Sequence, residues 1–311
     1  MMRSPKFVLS LFVLMQIAWS AAAEERTGGV LAAAPGPLQG LVRGEYADSQ
    51  TGQIHLQVVR TGAEKSKTPF VIFHPNPYSG LYFSYLLEDL GRDRDALAPD
   101  TPGYGNSTKP SAPLSMKSLG EAMATALENL GYGENGKGKV DVSGYHTGAY
   151  IATELAAARP DLVRRVVLIG VPFWQGEELE NQRVELMKPK PVDEAGKVLE
   201  DKWRFAVTGR NPLIPLDRAY DLFIESLQSG SDVGWAYTAV LGFDAAKSFR
   251  ALTQPVLLLN THGGLREETR AVLPYLENGR IVEEPGLTHG IFDVGAPVLG
   301  KHLRAFLDAD L

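Results

Sequence analysis

The residues best placed to do chemistry lie in one short segment, Gly144-Tyr145-His146-Thr147-Gly148. An apolar run precedes the segment and a helix-forming run follows it, which predicts a sharp strand-to-helix turn of the G-x-S-x-G type. Such a turn exposes its central side chain, usually Ser, Asp or Cys, as a nucleophile. Here the central residue is His146.

An imidazole at this position favours covalent catalysis. A Ser hydroxyl is nearly inert at neutral pH and needs both a base and an acid that orients the base. A free imidazole has a pKa of about 6.5, so it is largely neutral and nucleophilic at pH 7. Water can cleave the acyl-imidazole that would form. We therefore take His146 as the candidate nucleophile.

Three alternatives remain open for these histidines. His146 and His289 could act as acid and base in a lyase or isomerase reaction. The protein could instead be catalytically inactive and bind a small ligand. A third possibility is a metal site formed by His74, His146 and His289, since three histidines are a known zinc set. Their spacing carries no metal signature, so we expect no metal and no other cofactor.

Alternating strand and helix patterns must position these residues. Short apolar runs that predict buried strands include "PFVIF" (69–73), "KVDVSG" (139–144), "RRVVLIGV" (164–171) and "PVLLLN" (255–260). Helical patterns separate them, which predicts an α/β fold with a mostly parallel, doubly wound sheet.

The alternation stops between about residues 175 and 245, where the pattern is helical with no clear buried strand. We interpret 175–245 as a helical cap, with 41–174 and 246–311 as the core. Such a cap would cover the carboxyl ends of the strands, where open α/β sheets bind ligands.

The amino-terminal residues have the pattern of an export signal. Arg3 and Lys6 precede an apolar run over 7–18, and three alanines precede Glu24. Residues 1–23 are therefore expected to be a cleaved signal peptide, and residues 24–40, rich in Gly, Ala and Pro, a flexible arm. We expect a periplasmic or secreted protein with no stable membrane insertion after cleavage.

Charge and composition narrow the class of partner. The formal net charge of −6 becomes −8 when the two signal-peptide cations are removed, which argues against nucleic acid. The chain has no Cys, so thiol chemistry is excluded. The expected partner is a small-molecule substrate, and the sequence does not indicate an oligomeric state.

Four segments together resemble the α/β-hydrolase superfamily over nearly the whole expected mature chain. They are "FHPNPYSG", "APDTPGYGNSTKP", "GYHTG" and "LTHGIFD", each after a predicted strand and in the family's order. The first two resemble the loops of haloalkane dehalogenases and epoxide hydrolases, which typically read H-G-N-P-T-S and D-x-x-G-x-G-x-S-x-K-P. The Asp nucleophile of that branch is absent, which argues against dehalogenation because that reaction forms an ester with a carboxylate.

The resemblance implies roles for particular residues. His289 would be the catalytic base, and the backbone N–H groups of Asn76 and Thr147 would form an anion hole, with Tyr145 beside them in the substrate site. Fixed donors of this kind stabilise charge that develops on a substrate. One departure is Pro75, which replaces the family's usual Gly and gives a stiffer loop with one fewer donor.

The family's catalytic acid has no clear counterpart. The turn after "PVLLLN" places Gly264 or a neighbour where the acid would lie, and the alternative position, 171–173, is also without a carboxylate. Glu267 and Glu268 are close in sequence but are predicted to begin a helix. No acid is assigned.

Other candidates have mainly structural interpretations. Asp100 and nearby glycines are expected to form a tight loop that braces the elbow, although Tyr104, Asn106 and Ser107 could contact a ligand. His55 and His302 have a surface-like context. Aromatic residues near or within the predicted cap could line the pocket or form the cap's own core: Trp174, Trp203, Trp235 and Tyr237.

The sequence thus predicts an exported α/β-hydrolase-fold protein that hydrolyses a small, fairly apolar ester, lactone or related compound.

Overall fold

The computed structural model describes residues 36, 38–63, 66–188, 193–287 and 290–310. The predicted signal peptide, nearly all of the predicted arm and the candidate base His289 lie outside the described residues.

Eight strands form one sheet in the order β1-β2-β4-β3-β5-β6-β7-β8. Strands β1 and β2 pair antiparallel, as do β2 and β4, and all other neighbours are parallel. The mostly parallel sheet predicted from the sequence is therefore confirmed. The strands are β1 (Arg43–Ser49), β2 (Gly52–Val59), β3 (Lys67–Phe73), β4 (Arg94–Pro99), β5 (Val140–Tyr145), β6 (Val163–Ile169), β7 (Val256–Thr261) and β8 (Gly279–Glu284).

The central strands are buried on both faces. In β3, Val71 and Phe73 belong to the hydrophobic cluster on one face, whereas Phe70 and Ile72 belong to the cluster on the other. Because successive side chains of a strand point to opposite faces, two cores require an apolar residue at every position. This explains the uninterrupted apolar runs in the sequence.

Ten α-helices are described, together with short 3-10 and π segments. They are α1 (Ser84–Leu90), α2 (Met116–Asn129), α3 (Thr147–Ala158), α4 (Gly176–Leu186), α5 (Lys197–Trp203), α6 (Leu216–Glu225), α7 (Trp235–Leu241), α8 (Ala245–Arg250), α9 (Arg266–Ala271) and α10 (Ala296–Leu307). Helices α2, α3 and α8 contribute to the core on one face of the sheet, and α1 and α10 to the core on the other. The order of layers is that of a doubly wound fold.

Helices α4 to α8 all lie between β6 and β7 in the chain, and the described part of this region contains no strand. Trp203 in α5 packs against Tyr220 and Phe223 of α6, with ring centroids 6.1 and 5.2 Å away. Trp174 packs with Leu186 and other leucines outside the sheet cores. These tryptophans therefore hold the helical insertion together. Within the described ranges, no helix has the length and hydrophobicity needed to cross a membrane.

Candidate active site

The backbone turns sharply at His146, between the end of β5 and the start of α3. His146 has φ 53° and ψ −117° and is the only described non-glycine residue with positive φ. Its N–H donates to Ile169 O at 3.2 Å, and its carbonyl accepts from Ala149 N at 3.0 Å. A bulky residue adopts such a conformation only where its surroundings impose it, and such strain clusters at active sites.

Two glycines make the turn sterically possible. A Cβ on Gly144 would lie 2.0 Å from Gly148 O, and a Cβ on Gly148 would lie 1.9 Å from Phe73 O. Neither contact can be relieved by a rotamer change, because backbone atoms form both. The chain thus turns tightly from β5 into α3 with His146 at the apex of the turn.

The His146 ring lies between an aromatic neighbour and a glycine. Its centroid is 3.9 Å from that of Tyr145. A Cβ on Gly170, at the end of β6, would be 2.9 Å from His146 Cδ2. Gly170 has φ +57°, so both its conformation and the nearby ring favour Gly. Sequence reasoning missed this residue, because nothing in the chain before folding links it to His146.

Burial sets the protonation state of His146. The side chain is only partly accessible, and burial lowers its pKa to about 4. No charged group among the described residues contributes to the shift. Among the described surroundings, desolvation is the cause of this shift. His146 is thus a neutral imidazole from neutral pH down to about pH 4.

The two predicted anion-hole donors lie on different segments of the elbow region. Thr147 is the first residue of α3, where helix N–H groups have no intrahelical acceptor and favour negative charge. Neither the Thr147 N–H nor the Asn76 N–H donates a hydrogen bond to a described residue. Both backbone donors therefore remain free of described partners, as an anion hole requires.

The side chain of Asn76 contacts the cap. Its Nδ2 donates to Val233 O at 2.6 Å. The Asn76 side chain also counteracts the rise in the pKa of Tyr104 and Tyr237 that burial causes. Tyr104 in turn donates to Val233 O and accepts from Ala236 N. Asn76 and Tyr104 therefore join the loop after β3 and the loop after β4 to the cap.

His74 is a structural residue. It is buried, its Nε2 accepts from Thr101 N at 2.8 Å, and its Nδ1 lies 3.0 Å from Pro75 O. Nε2 must therefore be the unprotonated nitrogen, and Nδ1–H donates. Burial lowers the pKa of His74, so it stays neutral. With both nitrogens engaged, His74 cannot supply a metal ligand, and the described residues contain no metal-binding group of three or more such side chains.

The loop after β4 braces the elbow region. Asp100 Oδ1 accepts from Gly80 N, and Oδ2 accepts from Asn106 N and lies 2.8 Å from His55 Nδ1. The surface-like context assigned to His55 is wrong, because the side chain is buried against Asp100. The tight-loop interpretation of Asp100 and its glycines agrees with the structure, since a Cβ on Gly105 would lie 2.2 Å from Asp100 Oδ2.

No carboxylate stands at the two positions where the family has its acid, and a Thr side chain joins these two segments instead. Thr269 Oγ1 accepts from Val171 N at 2.9 Å and donates to Leu265 O at 2.7 Å, which joins the segments that follow β6 and β7. Glu267 is largely exposed and pairs with Arg270. Glu268 is half-buried, and burial raises its pKa. As predicted, both glutamates lie at the start of a helix, α9.

Aromatic side chains continue from Tyr145 away from the elbow. The ring of Tyr82 stacks on that of Tyr145 at 6.3 Å, Tyr78 lies 4.7 Å from Tyr82, and Phe292 lies 4.9 Å from Tyr145. Burial raises the pKa of Tyr78, Tyr82 and Tyr145. The four-residue spacing of Tyr78 and Tyr82 was a signal in the sequence, but only folding shows that both rings approach the elbow.

Comparison with known proteins agrees with this geometry. Residues 68–190 match the family model described as the alpha/beta hydrolase fold. The chain is 27% identical over 276 residues to the 2-(acetamidomethylene)succinate hydrolase of Mesorhizobium japonicum, covering 83% of this chain and 93% of that relative. The chain therefore has the α/β-hydrolase fold.

Solved structures show the same fold at lower identity. The enol-lactonase from Burkholderia xenovorans LB400 has a TM-score of 0.66 and 18% identity, with 85% of this chain and all of that chain covered. The epoxide hydrolase CorEH has a TM-score of 0.66 and 19% identity over 86% of this chain and 99% of that chain.

Proposed function

We propose that the protein is an exported hydrolase of small, uncharged esters, lactones or related compounds, with His146 as its nucleophile. The observation that carries the proposal is a neutral imidazole at the apex of a strained strand-to-helix elbow. The hydrolase name of the Mesorhizobium relative and the enol-lactonase among the structural neighbours support the reaction class.

The first chemical step is acylation. The unprotonated nitrogen of His146 attacks the substrate carbonyl carbon, and the N–H groups of Asn76 and Thr147 stabilise the oxyanion. Collapse of the tetrahedral intermediate breaks the bond to the leaving oxygen, which departs as an alcohol after taking up the proton released by the imidazole. This leaves an acyl group on His146.

The second step is hydrolysis of the acyl-imidazole. His289 accepts a proton from water, and the resulting hydroxide attacks the acyl carbon. The C–N bond to His146 then breaks as protonated His289 returns its proton to the departing imidazole nitrogen, which restores neutral His146 and releases the carboxylic acid. An acyl-imidazole is a reactive species, so this step requires less support from a third catalytic residue than an acyl-serine does.

The electrostatics near the elbow favour an uncharged substrate. Within the described part of the chain, only burial shifts the pKa of His146 and Tyr145, and no cation contributes. The positive charge of Arg218 lowers the pKa of Tyr82, but Arg218 is already paired with Asp293. A carboxylate in these surroundings would lose its hydration without gaining a partner, which costs free energy.

A panel of p-nitrophenyl esters of increasing chain length tests the proposed activity. We expect turnover by the parent and background rates for His146→Ala, whereas His302→Ala serves as the matched control, because His302 pairs with Glu284 on β8. Equal, near-zero rates for parent and His146→Ala would contradict the hydrolase. Tight ligand binding in that case would support the alternative that the protein is catalytically inactive and binds a small ligand. The missing acid also favours this alternative.

Export is proposed from the residues before Glu24. Amino-terminal sequencing of protein recovered from the cell envelope should show a mature chain that begins near Glu24. A chain that still begins at Met1 or Met2 would contradict the cleaved signal peptide.

A further inference from the structure

One segment of the cap contacts the turn that follows His289 in the chain. Helix α6 begins at Leu216, and Arg218 lies in its first turn. Arg218 Nε donates to Asp293 Oδ1 at 2.8 Å, and the two side chains are only 5% and 6% exposed. Asp293 lies four residues after His289 in the sequence.

Arg218 also binds the backbone of the segment that follows the Asn76 loop. Its Nη2 donates to Leu81 O and Tyr82 O, each at 3.1 Å. Tyr82 is one of the aromatic residues that lead to the elbow. One guanidinium therefore joins the cap, the segment after the Asn76 loop and the turn at Asp293. Fixed planar donors suit Arg to such multiple contacts.

Apolar packing reinforces this connection. Ile214, Ala219 and Val294 form a separate buried cluster between the cap and the turn. Gly290, the residue after His289, has φ +84°, and a Cβ there would lie 2.7 Å from Ile214 Cδ1. The cap thus packs directly on the backbone next to the candidate base.

The same turn contacts the elbow through Phe292. The Phe292 ring lies 4.9 Å from Tyr145, whose ring is 3.9 Å from His146. Asp293 N donates to Gly290 O at 2.9 Å, which closes the turn. Contacts therefore run without a break from Arg218 through Asp293, Phe292 and Tyr145 to His146.

We propose that Arg218 and Asp293 are positioning residues through which the cap holds the turn of residues 290–294 in place against the elbow. The proposal rests on the proposed function, in which His146 at the elbow is the nucleophile. Neither residue touches the reacting atoms. Their effect is to restrict the turn, and a displacement of about 1 Å at a catalytic group can reduce the rate by about 100-fold.

Five variants test the proposal, including Arg218→Lys, which keeps the positive charge. Arg218→Met removes all three donations, and Asp293→Asn removes the charge while it keeps an acceptor. The double variant Arg218→Met/Asp293→Asn leaves no unpaired buried charge, so it separates loss of the connection from the penalty of burying a lone carboxylate. Arg204→Met is the matched control, because Arg204 lies in the same cap but pairs with Glu200 at an exposed site.

Two quantities are measured on each variant: kcat and KM for the best p-nitrophenyl ester, and backbone amide hydrogen exchange of residues 286–295. For the single and double variants we expect kcat to fall about 10- to 100-fold with KM changed less than about threefold, because positioning affects the chemical step. Exchange of 286–295 should become faster. Arg218→Lys should recover part of kcat, and Arg204→Met should match the parent in both measurements.

Several results would overturn the proposal. Faster exchange with unchanged kcat would show that the contacts are structural only. Unchanged exchange in the double variant would show that the turn does not depend on the cap. If the parent itself has no turnover, the proposed hydrolase fails, and exchange alone then decides whether the cap restricts this turn. If Arg218→Met does not fold, Asp293→Asn and Arg218→Lys provide the same comparison.

Discussion

At the scale of single residues, the environment of His146 supports the proposed use of an imidazole as nucleophile. Burial lowers its pKa without help from a charged partner among the described residues, so the neutral form is already favoured. A Ser in the same place would need a base held by an acid, and no carboxylate occupies either expected position among the described residues. The residue at the apex and the missing acid are therefore consistent with each other.

The pH dependence of acylation should reflect this burial. Protonation removes the lone pair of His146, so the acylation burst should fall only as the pH drops through about 4, rather than near the free imidazole value of about 6.5. The burst is measured rather than steady turnover, because His289 acts in the later step. A burst that halves near pH 6.5 would show that His146 is accessible to solvent and not desolvated.

A pair of glycines tests whether the position of the ring matters. Gly170→Ala would place a methyl group 2.9 Å from His146 Cδ2, whereas Gly176→Ala, at a similar φ of +55°, meets no atom within 4 Å. Both variants should cost about 1 kcal/mol in stability because of the left-handed backbone. Only Gly170→Ala should also reduce ester turnover, by about 100-fold.

Equal activity of the two glycine variants, measured as kcat on one ester alongside thermal melts, would show that the ring can move without loss.

At the scale of secondary-structure elements, the two glutamates at the start of α9 are poorly placed to act as a catalytic acid. Glu267 is exposed and Glu268 is half-buried with a raised pKa. Neither suits a carboxylate that must hold a charged imidazole. Glu267→Gln and Glu268→Gln should each change kcat by less than about tenfold, or about 1.4 kcal/mol in the barrier. A loss of several orders of magnitude in either variant would identify the acid.

The elements themselves could be predicted from the sequence, and the contacts between them could not. Buried parallel strands such as β3 and β7 leave uninterrupted apolar runs, and the elbow leaves its two glycines, so both were visible in the chain. His55 and Asp100 form a pair although they lie 45 positions apart. Thr269 Oγ1 accepts a hydrogen bond from Val171 N, 98 positions away. Local pattern carries no information about such partners, which is why His55 was misplaced at the surface.

At the scale of the whole molecule, the cap is held by buried polar groups. Ser79 donates to Glu225 at the end of α6, and Arg218 at the other end binds Asp293. Burial, with nearby Asp100 and Asp221, raises the pKa of Glu225 to about 8 against the lowering effect of Arg218. Glu225 is therefore protonated at neutral pH.

This raised pKa makes the stability of the fold depend on pH. The folded state holds a proton that the unfolded state loses above about pH 4.5, so stability should decline as the pH rises from about 4.5 to about 8. Between pH 6 and 8 the parent should lose about 2 kcal/mol more than Glu225→Gln, since each pKa unit corresponds to about 1.4 kcal/mol. Urea unfolding at the two pH values measures the difference, and identical pH slopes would contradict a buried neutral carboxyl.

An α/β-hydrolase fold alone does not determine chemistry, because related folds support many reactions. The central claim here is covalent catalysis by His146. Protein mixed with p-nitrophenyl acetate and quenched in acid within the burst should carry one acetyl group on the peptide that contains His146, detected by mass spectrometry. His146→Ala should show no acetylation of that peptide and no burst. Steady ester turnover by the parent without any acyl group on His146, or an equal burst from His146→Ala, would contradict the account.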